Sequence, residues 1–202
     1  MYIVGNQFLP SPVNVPPPKQ SMSYGTIFAD RENKKTFYSL LSQSGQGWAR
    51  KPKLQLLFDS SRDGWNCSTF HQKCDNRGPT VSVCQLHDGT VCGGFTTLPW
   101  NQNGTHQNDN LAFLFRLKYR GSAGPYRANR SSGNDVYGGS THGPTFGSAS
   151  DLVLFKSNNY NSSNAQHNMS TYSYPQDPLT GNSYPLTGGH VYMTGAGNNY
   201  RV

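Results

Sequence analysis

The chain has 202 residues, of which 34% are hydrophobic, and its 10 Phe, 12 Tyr and 3 Trp supply bulky core material for one sizeable domain. With 22 Gly, 13 Pro and Glu32 as its single Glu, the composition predicts many turns and strands and few long helices. The formal net charge of +7 favours a negatively charged protein surface as partner over nucleic acid, because the basic residues form no run longer than Lys34-Lys35.

The sequence gives no indication of membrane insertion or secretion. No stretch approaches the roughly 18 consecutive apolar residues that a membrane-spanning helix needs. The first residues, MYIVGNQFLP, lack both the charged region and the continuous apolar region of a signal peptide. We therefore expect a cytoplasmic protein without a membrane span.

Four cysteines lie close together in the sequence, at Cys67, Cys74, Cys84 and Cys92. None of them forms a C-x-x-C pair, which argues against a structural zinc site. We interpret them as buried, reduced thiols of a cytosolic protein, and a redox-sensing thiol is the alternative.

The first 25 residues are rich in proline. Pro10, Pro12 and the prolines at 16–18 favour an extended polyproline-type backbone and exclude a helix and a central strand. We therefore divide the chain into an extended arm over residues 1–25 and a domain over residues 26–202. The arm is expected to lie along a partner protein and to add little to the folding of the domain. Apolar side chains of the arm and nearby lysines would make the contacts. The predicted partner-binding residues are Phe8, Val13, Val15, Lys19, Lys34 and Lys35.

Two short helices are predicted from local patterns. Residues 33–41 place Phe37 and Leu41 on one face at helical spacing. A second helix runs from residue 66 or 67 to residue 74, and Asn66 is a residue type that caps helix starts. The SSRDGWN segment at 60–66 predicts a turn before that helix.

Strand patterns are more frequent than helix patterns. Val81 and Val83 alternate with polar residues, and Asp88-Gly89 is typical of a hairpin turn. Gly93-Gly94 inside the following strand predicts a bulge or close packing of the backbone on a neighbour. The predicted strands are residues 54–58, 80–86, 91–97, 111–117 and 151–155.

Polar segments separate these strands, at residues 101–110, 118–150 and 156–190, and are interpreted as long loops. Many short strands with turn signals predict a mainly β fold of the α+β class. The predicted architecture is a two-sheet β-sandwich with a few short helices packed at its edges.

Candidate catalytic groups are weakly supported. His71 and Cys74 could imitate a Cys-His nucleophile pair, but they lie three residues apart on one helix with no residue evidently placed to orient the imidazole. Asp59, Asp63 and Asp75 could suggest a metal or acid-base site, yet they flank turns and helix ends, where carboxylates bond to local backbone. We therefore predict no enzyme, no metal and no cofactor.

A series of short motifs resembles the TLDc domain family. The motifs are SRDG at 61–64, FHxxCD at 70–75, GPT at 78–80, GGFT at 93–96, PW at 99–100, AFLF at 112–115, GPTFG at 143–147 and DL at 151–152. Each motif is weak alone, but the series in order and at family spacing is specific, and the resemblance covers roughly residues 37–202. The residues interpreted as structural family signatures are Arg62, Asp63, Gly64, Phe70, His71, Cys74, Asp75, Gly78, Pro79, Thr80, Gly93, Gly94, Phe95, Pro99, Trp100, Gly143, Phe146 and Gly147.

The resemblance implies a central β-sandwich without an established enzymatic mechanism. Members of the family are linked to oxidative-stress protection and to binding the vacuolar proton pump, the V-ATPase, and both roles are carried over by analogy. The family usually finishes with a strand of the E-V-Y/F kind, whereas residues 199–202 read NYRV. The last strand is therefore expected to be missing or altered, which would leave a sheet edge open to a partner.

We expect from these observations a non-enzymatic structural protein that docks on a large acidic assembly. The positive charge, the arm and the open edge favour a ciliary axoneme or another microtubule structure, because tubulin surfaces are acidic. The expected location is then the cytoplasm and its cytoskeleton. The alternative, which rests on the resemblance alone, is a V-ATPase regulator or an oxidative-stress-protective protein. A redox enzyme that uses Cys74 or Cys92 is the third hypothesis.

Overall fold

A computed structural model describes residues 1–6, 26–50, 52–86, 88–130, 133–148, 151–156, 164–165 and 193–194. The helices are short. They are α1 (Thr26–Ala29), α2 (Arg31–Ser42), the 3-10 turn η1 (Gly47–Arg50), α3 (Ser60–Asp63) and α4 (Cys67–Cys74). The strands are β1 (Tyr2–Asn6), β2 (Leu54–Asp59), β3 (Thr80–Gln85), β4 (Val91–Thr96), β5 (Asn103–Gln107), β6 (Phe113–Tyr119), β7 (Ser122–Asn129), β8 (Val136–Gly139), β9 (Thr145–Phe146), β10 (Leu152–Val153), β11 (Asn164–Ala165) and β12 (Met193–Thr194).

The strands form two main antiparallel sheets. The large sheet has six strands in the order β2-β1-β3-β4-β6-β7, and the small sheet has four in the order β10-β9-β8-β5. β11 and β12 pair with each other. The mainly β, two-sheet sandwich predicted from the sequence is confirmed.

The centre of the large sheet, at β3, β4 and β6, is buried on both faces. Along β3, Val81 and Val83 contribute to a core that includes the helix α2, whereas Cys84 contributes to the core beside the small sheet. β3 pairs with β4 so that Cys84 lies opposite Cys92. Two apolar cores therefore lie on opposite sides of one sheet, as the alternation of β3 predicts.

The helix α2 covers the outer face of the large sheet. Its N-cap is Asp30, whose side chain accepts hydrogen bonds from the backbone N–H groups of Glu32 and Asn33. Its apolar side packs on the sheet, where the Phe37 ring centroid lies 5.3 Å from that of Phe115 in β6. The helix therefore lies on a sheet face, not at an edge of the sandwich as the sequence suggested, because a stripe of apolar residues needs a surface to cover.

The segment before α4 is helical and not only a turn. Asp59 caps α3 by accepting a hydrogen bond from the backbone N–H of Ser61, and Gly64 ends it with a φ of 75°. The predicted second helix is confirmed as α4. Asn66 caps it through a 2.8 Å hydrogen bond from the backbone N–H of Ser68 to Asn66 Oδ1.

Residues 1–6 overturn part of the expected division into arm and domain. β1 lies between β2 and β3 and pairs antiparallel with both. Ile3 is completely buried. The expectation that all of residues 1–25 add little to folding is wrong for this strand, because the prolines begin at Pro10 and leave the apolar YIV segment free to pair. Residues 7–25 lie outside the described residues, and with them Phe8, Val13, Val15 and Lys19.

Two of the segments interpreted as loops contain strands. β5 lies within residues 101–110, and β7, β8 and β9 lie within residues 118–150. β5 is exposed along most of its length and β7 contains Gly124 and Pro125, so neither shows the alternation by which strands are recognised. Most of residues 156–190 lie outside the described residues, and so do residues 199–202, where the last strand of the family was expected to be missing or altered. In the described part of the chain, no helix is long and apolar enough to span a membrane.

Candidate functional site

Several of the family-signature residues converge where α4 meets both sheets, a region named here the inter-sheet junction. Its centre is the ring of Trp100, whose centroid lies 5.8 Å from that of Phe70 in α4 and 5.5 Å from that of Phe146 in β9. All three side chains are at most 2% exposed. Each ring pair is close to edge-to-face, the arrangement that aromatic quadrupoles favour.

Glycines let neighbouring layers approach each other on both faces of β4. At the junction, a Cβ atom at Gly94 would lie 2.5 Å from the Phe146 ring. On the opposite face of β4, a Cβ atom at Gly93 would lie 2.0 Å from the backbone oxygen of Ser82 and 2.9 Å from the Phe115 ring. A Cβ atom at Gly143 would lie 2.5 Å from the ring of Phe155. The glycines at these positions therefore serve close packing.

The remaining apolar and turn residues of the signature lie around this centre or in the other core. A Cβ atom at Gly78 would lie 3.1 Å from backbone atoms of the Leu98–Pro99 segment, and the peptide between Gly78 and Pro79 is cis. Gly147 adopts a φ of 87° beside Asp151. Phe95 faces the other core, where its ring centroid lies 5.2 Å from that of Phe113.

Polar signature residues fasten the junction. Trp100 Nε1 donates a 2.9 Å hydrogen bond to Thr80 Oγ1, and both residues are buried. His71 Nδ1 donates to Asp75 Oδ1 at 2.7 Å, while His71 Nε2 lies 3.0 Å from the backbone oxygens of Gly139 and His142. These contacts join α4 to the small sheet, since Gly139 belongs to β8.

The Asp63 carboxylate is held by local partners. It accepts hydrogen bonds from the Arg62 guanidinium and from Lys73 Nζ, each at 2.8 Å, and from the backbone N–H of Asp59. The Arg62 guanidinium, followed by Lys73, holds the pKa of Asp63 well below its usual range. These contacts place Arg62 and Asp63 in the framework around α3 and α4.

The thiols are buried in the two-sheet core. None of the four cysteines forms a disulfide, and all four are at most 1% exposed. Burial raises the pKa of the Cys74 thiol, and the hydrogen bond to Cys84 together with burial raises that of Cys92. The ring nitrogens of His71 contact oxygen atoms, so they are not arranged to activate Cys74. Within the described residues, no cluster of His, Cys, Asp or Glu could hold a metal ion.

A groove runs between α2 and β7 on the opposite side of the large sheet, named here the α2–β7 groove. Its volume is about 570 Å³. One wall is a second face of α2, whose residues recur at helical spacing. The other wall is part of β7. The lining residues are Glu32, Lys35, Thr36, Ser39, Leu40, Gln43, Pro125, Tyr126 and Arg127.

Arg127 connects the two walls of the groove, because it belongs to β7 and binds the end of α2. Its guanidinium donates to the backbone oxygen of Leu40 and to Ser44 Oγ near the end of α2. It also lies 3.8 Å from the Phe113 ring centroid, a cation–π contact. Burial lowers the pKa of Arg127 to about 10, a value at which the side chain stays charged at neutral pH.

Of the two α2 lysines predicted to bind a partner, Lys35 lines this groove and Lys34 lies outside its lining. Lys35 is exposed on the groove wall. Lys34 is half-buried, with its Nζ 5.8 Å from the Tyr38 ring centroid. Sequence reasoning missed Thr36, Ser39 and Tyr126, because the polar spacing at positions 32, 35, 36, 39 and 43 is also that of an ordinary solvated helix face.

Most of the described carboxylates are buried or partly buried, whereas many cations lie on the surface. Asp109, Asp135 and Asp151 are buried. Most other described acids accept hydrogen bonds inside the fold, as Asp30 does from Lys118 Nζ at 2.6 Å. Exposed cations are spread over the surface and include Arg31, Lys35, Lys53, Arg62, Arg77 and Arg120. The outer surface of the described part is therefore positive.

Comparison with known proteins identifies the family. The chain matches the family model of the TLDc domain over residues 22–187. The chain belongs to the TLDc domain family. The matched range begins before residue 37 and ends before residue 202, so it differs at both ends from the range of the sequence resemblance, and β1 lies outside it. This TLDc chain carries the inter-sheet junction within the matched residues.

Curated relatives share a short part of this TLDc chain. The MTOR-associated protein MEAK7 of Homo sapiens is 39% identical over 62 residues, which are 31% of this chain and 14% of that protein. The MEAK7 proteins of Mus musculus and Gallus gallus are 31% identical over 70 residues and 35% identical over 65, which are 35% and 32% of this chain. The matches span 15% and 14% of those two relatives.

Proposed function

We propose that this TLDc protein is a non-enzymatic docking module that binds an acidic protein surface in a large assembly. The observation that carries the proposal is the charge distribution. Buried or internally bonded carboxylates such as Asp109 and Asp135 leave the exposed surface to cations such as Arg31 and Lys35. A surface of one sign attracts partners of the other sign and speeds their association.

The organisation of the signature residues supports a binding role over catalysis. Packing contacts bury the rings of Phe70, Trp100 and Phe146. Hydrogen bonds engage His71 and Asp75 where α4 joins the small sheet. The name of the MEAK7 relatives records an association with another protein. A protein-binding role for this chain agrees with both observations.

Two kinds of assembly are candidates. A ciliary axoneme or another microtubule structure is favoured by the positive surface, because tubulin surfaces are acidic. The V-ATPase is the alternative and is supported by the family resemblance alone. Both candidates place the protein on a large complex reached from the cytoplasm, and both would use exposed charge rather than a buried pocket.

Fractionation of native cell extract tests the proposal. We expect the protein to sediment with a large protein assembly at low salt and to be released as salt rises. Raising the salt from about 0.1 M to about 1 M shortens the Debye length from about 10 Å to about 3 Å, which screens exposed charges. Co-sedimentation with axonemes or with vacuolar membranes distinguishes the two candidates.

Two results would contradict the proposal. One is that the native protein migrates as a free monomer at low salt and that cross-linking attaches no partner to it. The other is turnover of peroxide by the purified chain that is lost on changing one cysteine while the melting temperature stays unchanged.

A further inference from the structure

We propose that Cys84 and Cys92 form a redox-sensitive thiol pair, which hydrogen peroxide converts to a disulfide between β3 and β4. The two residues lie directly opposite each other in the register of these neighbouring antiparallel strands. Their sulfur atoms are 3.8 Å apart, and neither takes part in a disulfide. This inference goes beyond the docking function, because it concerns a covalent modification site inside the fold and involves no partner protein.

The position of the pair in the sheet favours a disulfide within one chain. Residues opposite each other in antiparallel strands have Cα atoms about 4.5–5.5 Å apart, and disulfides join Cα atoms about 4.4–6.8 Å apart. Cys84 and Cys92 also contribute to the same apolar core, so both side chains lie on one face of the sheet. The sulfur atoms can therefore meet by rotation of the two side chains, while the strands keep their register.

The surroundings of the pair distinguish one thiol from the other. The hydrogen bond with Cys92 lowers the pKa of the Cys84 thiol, against the opposing effect of burial. The same hydrogen bond and burial raise the pKa of Cys92, and the positive charge of Arg116 opposes them. Arg116 lies opposite Cys92 in β6 and is 1% exposed. Cys84 is therefore the thiol that ionises first, and the thiolate is the nucleophilic form of cysteine.

The reaction consumes one molecule of hydrogen peroxide for each pair. The Cys84 thiolate attacks one peroxide oxygen, so that an S–O bond forms, the O–O bond breaks and the leaving hydroxide takes a proton to become water. The Cys92 thiol then attacks the sulfenic sulfur, which forms the S–S bond and releases a second water. The two thiols lose two electrons, and the peroxide is reduced to water. The reaction stops at the disulfide, so it is stoichiometric and distinct from catalytic turnover.

Access to the pair requires opening of the hairpin end. Both thiols are completely buried, but they lie near the turn that joins β3 to β4, where Gly89 adopts a φ of 83°. Asp88 Oδ1 accepts a 2.9 Å hydrogen bond from the backbone N–H of Thr90. Thr90 Oγ1 in turn accepts one of 3.0 Å from the backbone N–H of Arg120. Local openings need less free energy than global unfolding, so the rate of oxidation is expected to follow the release of this turn.

Mass spectrometry of the wild-type protein tests the pair directly. Trypsin cleaves after Lys and Arg, so one peptide, residues 78–116, holds Cys84 and Cys92, whereas Cys67 and Cys74 fall in two other peptides. The folded full chain is treated with hydrogen peroxide, and the remaining thiols are alkylated before digestion. We expect peptide 78–116 to lose two hydrogen atoms, to resist alkylation and to recover both thiols on reduction. Cys74 should react at least about tenfold more slowly, because burial raises the pKa of its thiol.

A change in the turn tests the route of access. Asp88→Ala removes the acceptor of the Thr90 N–H, and the control Glu32→Ala removes an exposed carboxylate from α2. Both variants change the net charge equally. We expect Asp88→Ala to speed disulfide formation about fivefold and Glu32→Ala to change it less than about twofold, because only the first loosens the hairpin end.

The remaining outcomes would overturn the inference. One is a folded protein in which peptide 78–116 keeps both thiols while Cys67 or Cys74 is oxidised. Others are a sulfinic acid instead of the disulfide, a disulfide between two molecules, or a disulfide that forms only after the chain has been unfolded. Equal rates for Asp88→Ala and Glu32→Ala would overturn the hairpin end as the route of access. Salt-dependent sedimentation of the native protein tests the docking function separately.

Discussion

The inter-sheet junction and the α2–β7 groove lie on opposite sides of the large sheet and differ in what their residues do. At the junction, Phe70, Trp100 and Phe146 are buried and in mutual contact. In the groove, Lys35 and Ser39 are exposed. The family signature describes the junction, whereas none of the groove-lining residues belongs to it. Membership of the TLDc family therefore predicts the framework, and partner choice is left to surfaces that the signature does not include.

This difference gives each region its own measurable response. Changes at the junction should reduce the free energy of unfolding, because packed layers have no room to adjust. Changes at exposed groove positions such as Lys35 and Ser39 should leave stability nearly constant. Four changes test the buried framework that includes the junction.

The largest effect is expected for Gly93→Val. Any Cβ atom there would lie 2.0 Å from the backbone oxygen of Ser82, so β3 and β4 would have to separate. We expect a loss of more than about 5 kcal/mol, comparable with the whole stability of a small domain. Gly47→Val is the control, since nothing lies within 4 Å of a Cβ at Gly47. Circular dichroism during urea unfolding compares them, and similar midpoints would show that the sheet tolerates the extra atoms.

The second change, Ile3→Ala, tests whether β1 belongs to the same framework. Ile3 is completely buried in a strand held between two others. We expect a loss of about 2–5 kcal/mol, as for other buried aliphatic truncations. The matched change Gln55→Ala lies on an exposed position of β2 and should be nearly neutral. An unchanged unfolding midpoint for Ile3→Ala would restore residues 1–6 to a dispensable arm.

The third change concerns the hydrogen bond between Trp100 and Thr80. Trp100→Phe removes the Nε1–H that donates to Thr80 Oγ1 and leaves the buried hydroxyl without that donor. We expect a loss of about 1–3 kcal/mol. Thr80→Val should reduce the free energy of unfolding by a similar amount. The double variant should lose less than the sum of the two single losses, because each single variant already removes the same hydrogen bond. Additive losses would show that the bond contributes nothing to the junction.

The smallest change is confined to acid pH. Burial, with added effects of Lys156 and His71, lowers the pKa of His142 from 6.5 to about 4. The unfolded chain therefore binds a proton at His142 more readily than the folded one, and stability falls as the pH drops from 6.5 towards 4. His142→Gln should make that fall shallower and leave stability at pH 7 almost unchanged. The control is His106→Gln, an exposed histidine that also contacts the Tyr137 ring. Identical pH profiles of wild type and His142→Gln between pH 4 and 6.5 would contradict the prediction.

Local patterns predicted those elements whose residues carry the signal themselves. Asn66 caps α4 at the expected place, and the alternation of Val81 and Val83 gives the two faces of β3. β5 was missed because its NGTHQ segment is exposed along most of its length and pairs with β8, so its register is set by a neighbour distant in sequence. The sequence did not predict that the YIV segment forms a strand, because its sheet partners β2 and β3 are also distant in sequence.

The groove could be predicted only in part. Lys34 and Lys35 stood out as a charged pair, but the polar face of α2 is indistinguishable in sequence from an ordinary solvated face. The opposite wall comes from Pro125 and Tyr126, in a segment interpreted as a loop. A groove needs two walls, and the chain brings these together through the packing of α2 on the large sheet.

The position of β1 has a consequence for the order of folding. Its partners are residues 54–59 and 80–85, so closing this part of the sheet requires loops of about 50 residues or more, with an entropic cost that local contacts do not carry. During synthesis, the β1 segment leaves the ribosome well before β3 exists, and it must wait with its apolar side chains uncovered. We therefore expect slow folding typical of high contact order, with the large sheet completed late, and a period in which the nascent chain is exposed to aggregation.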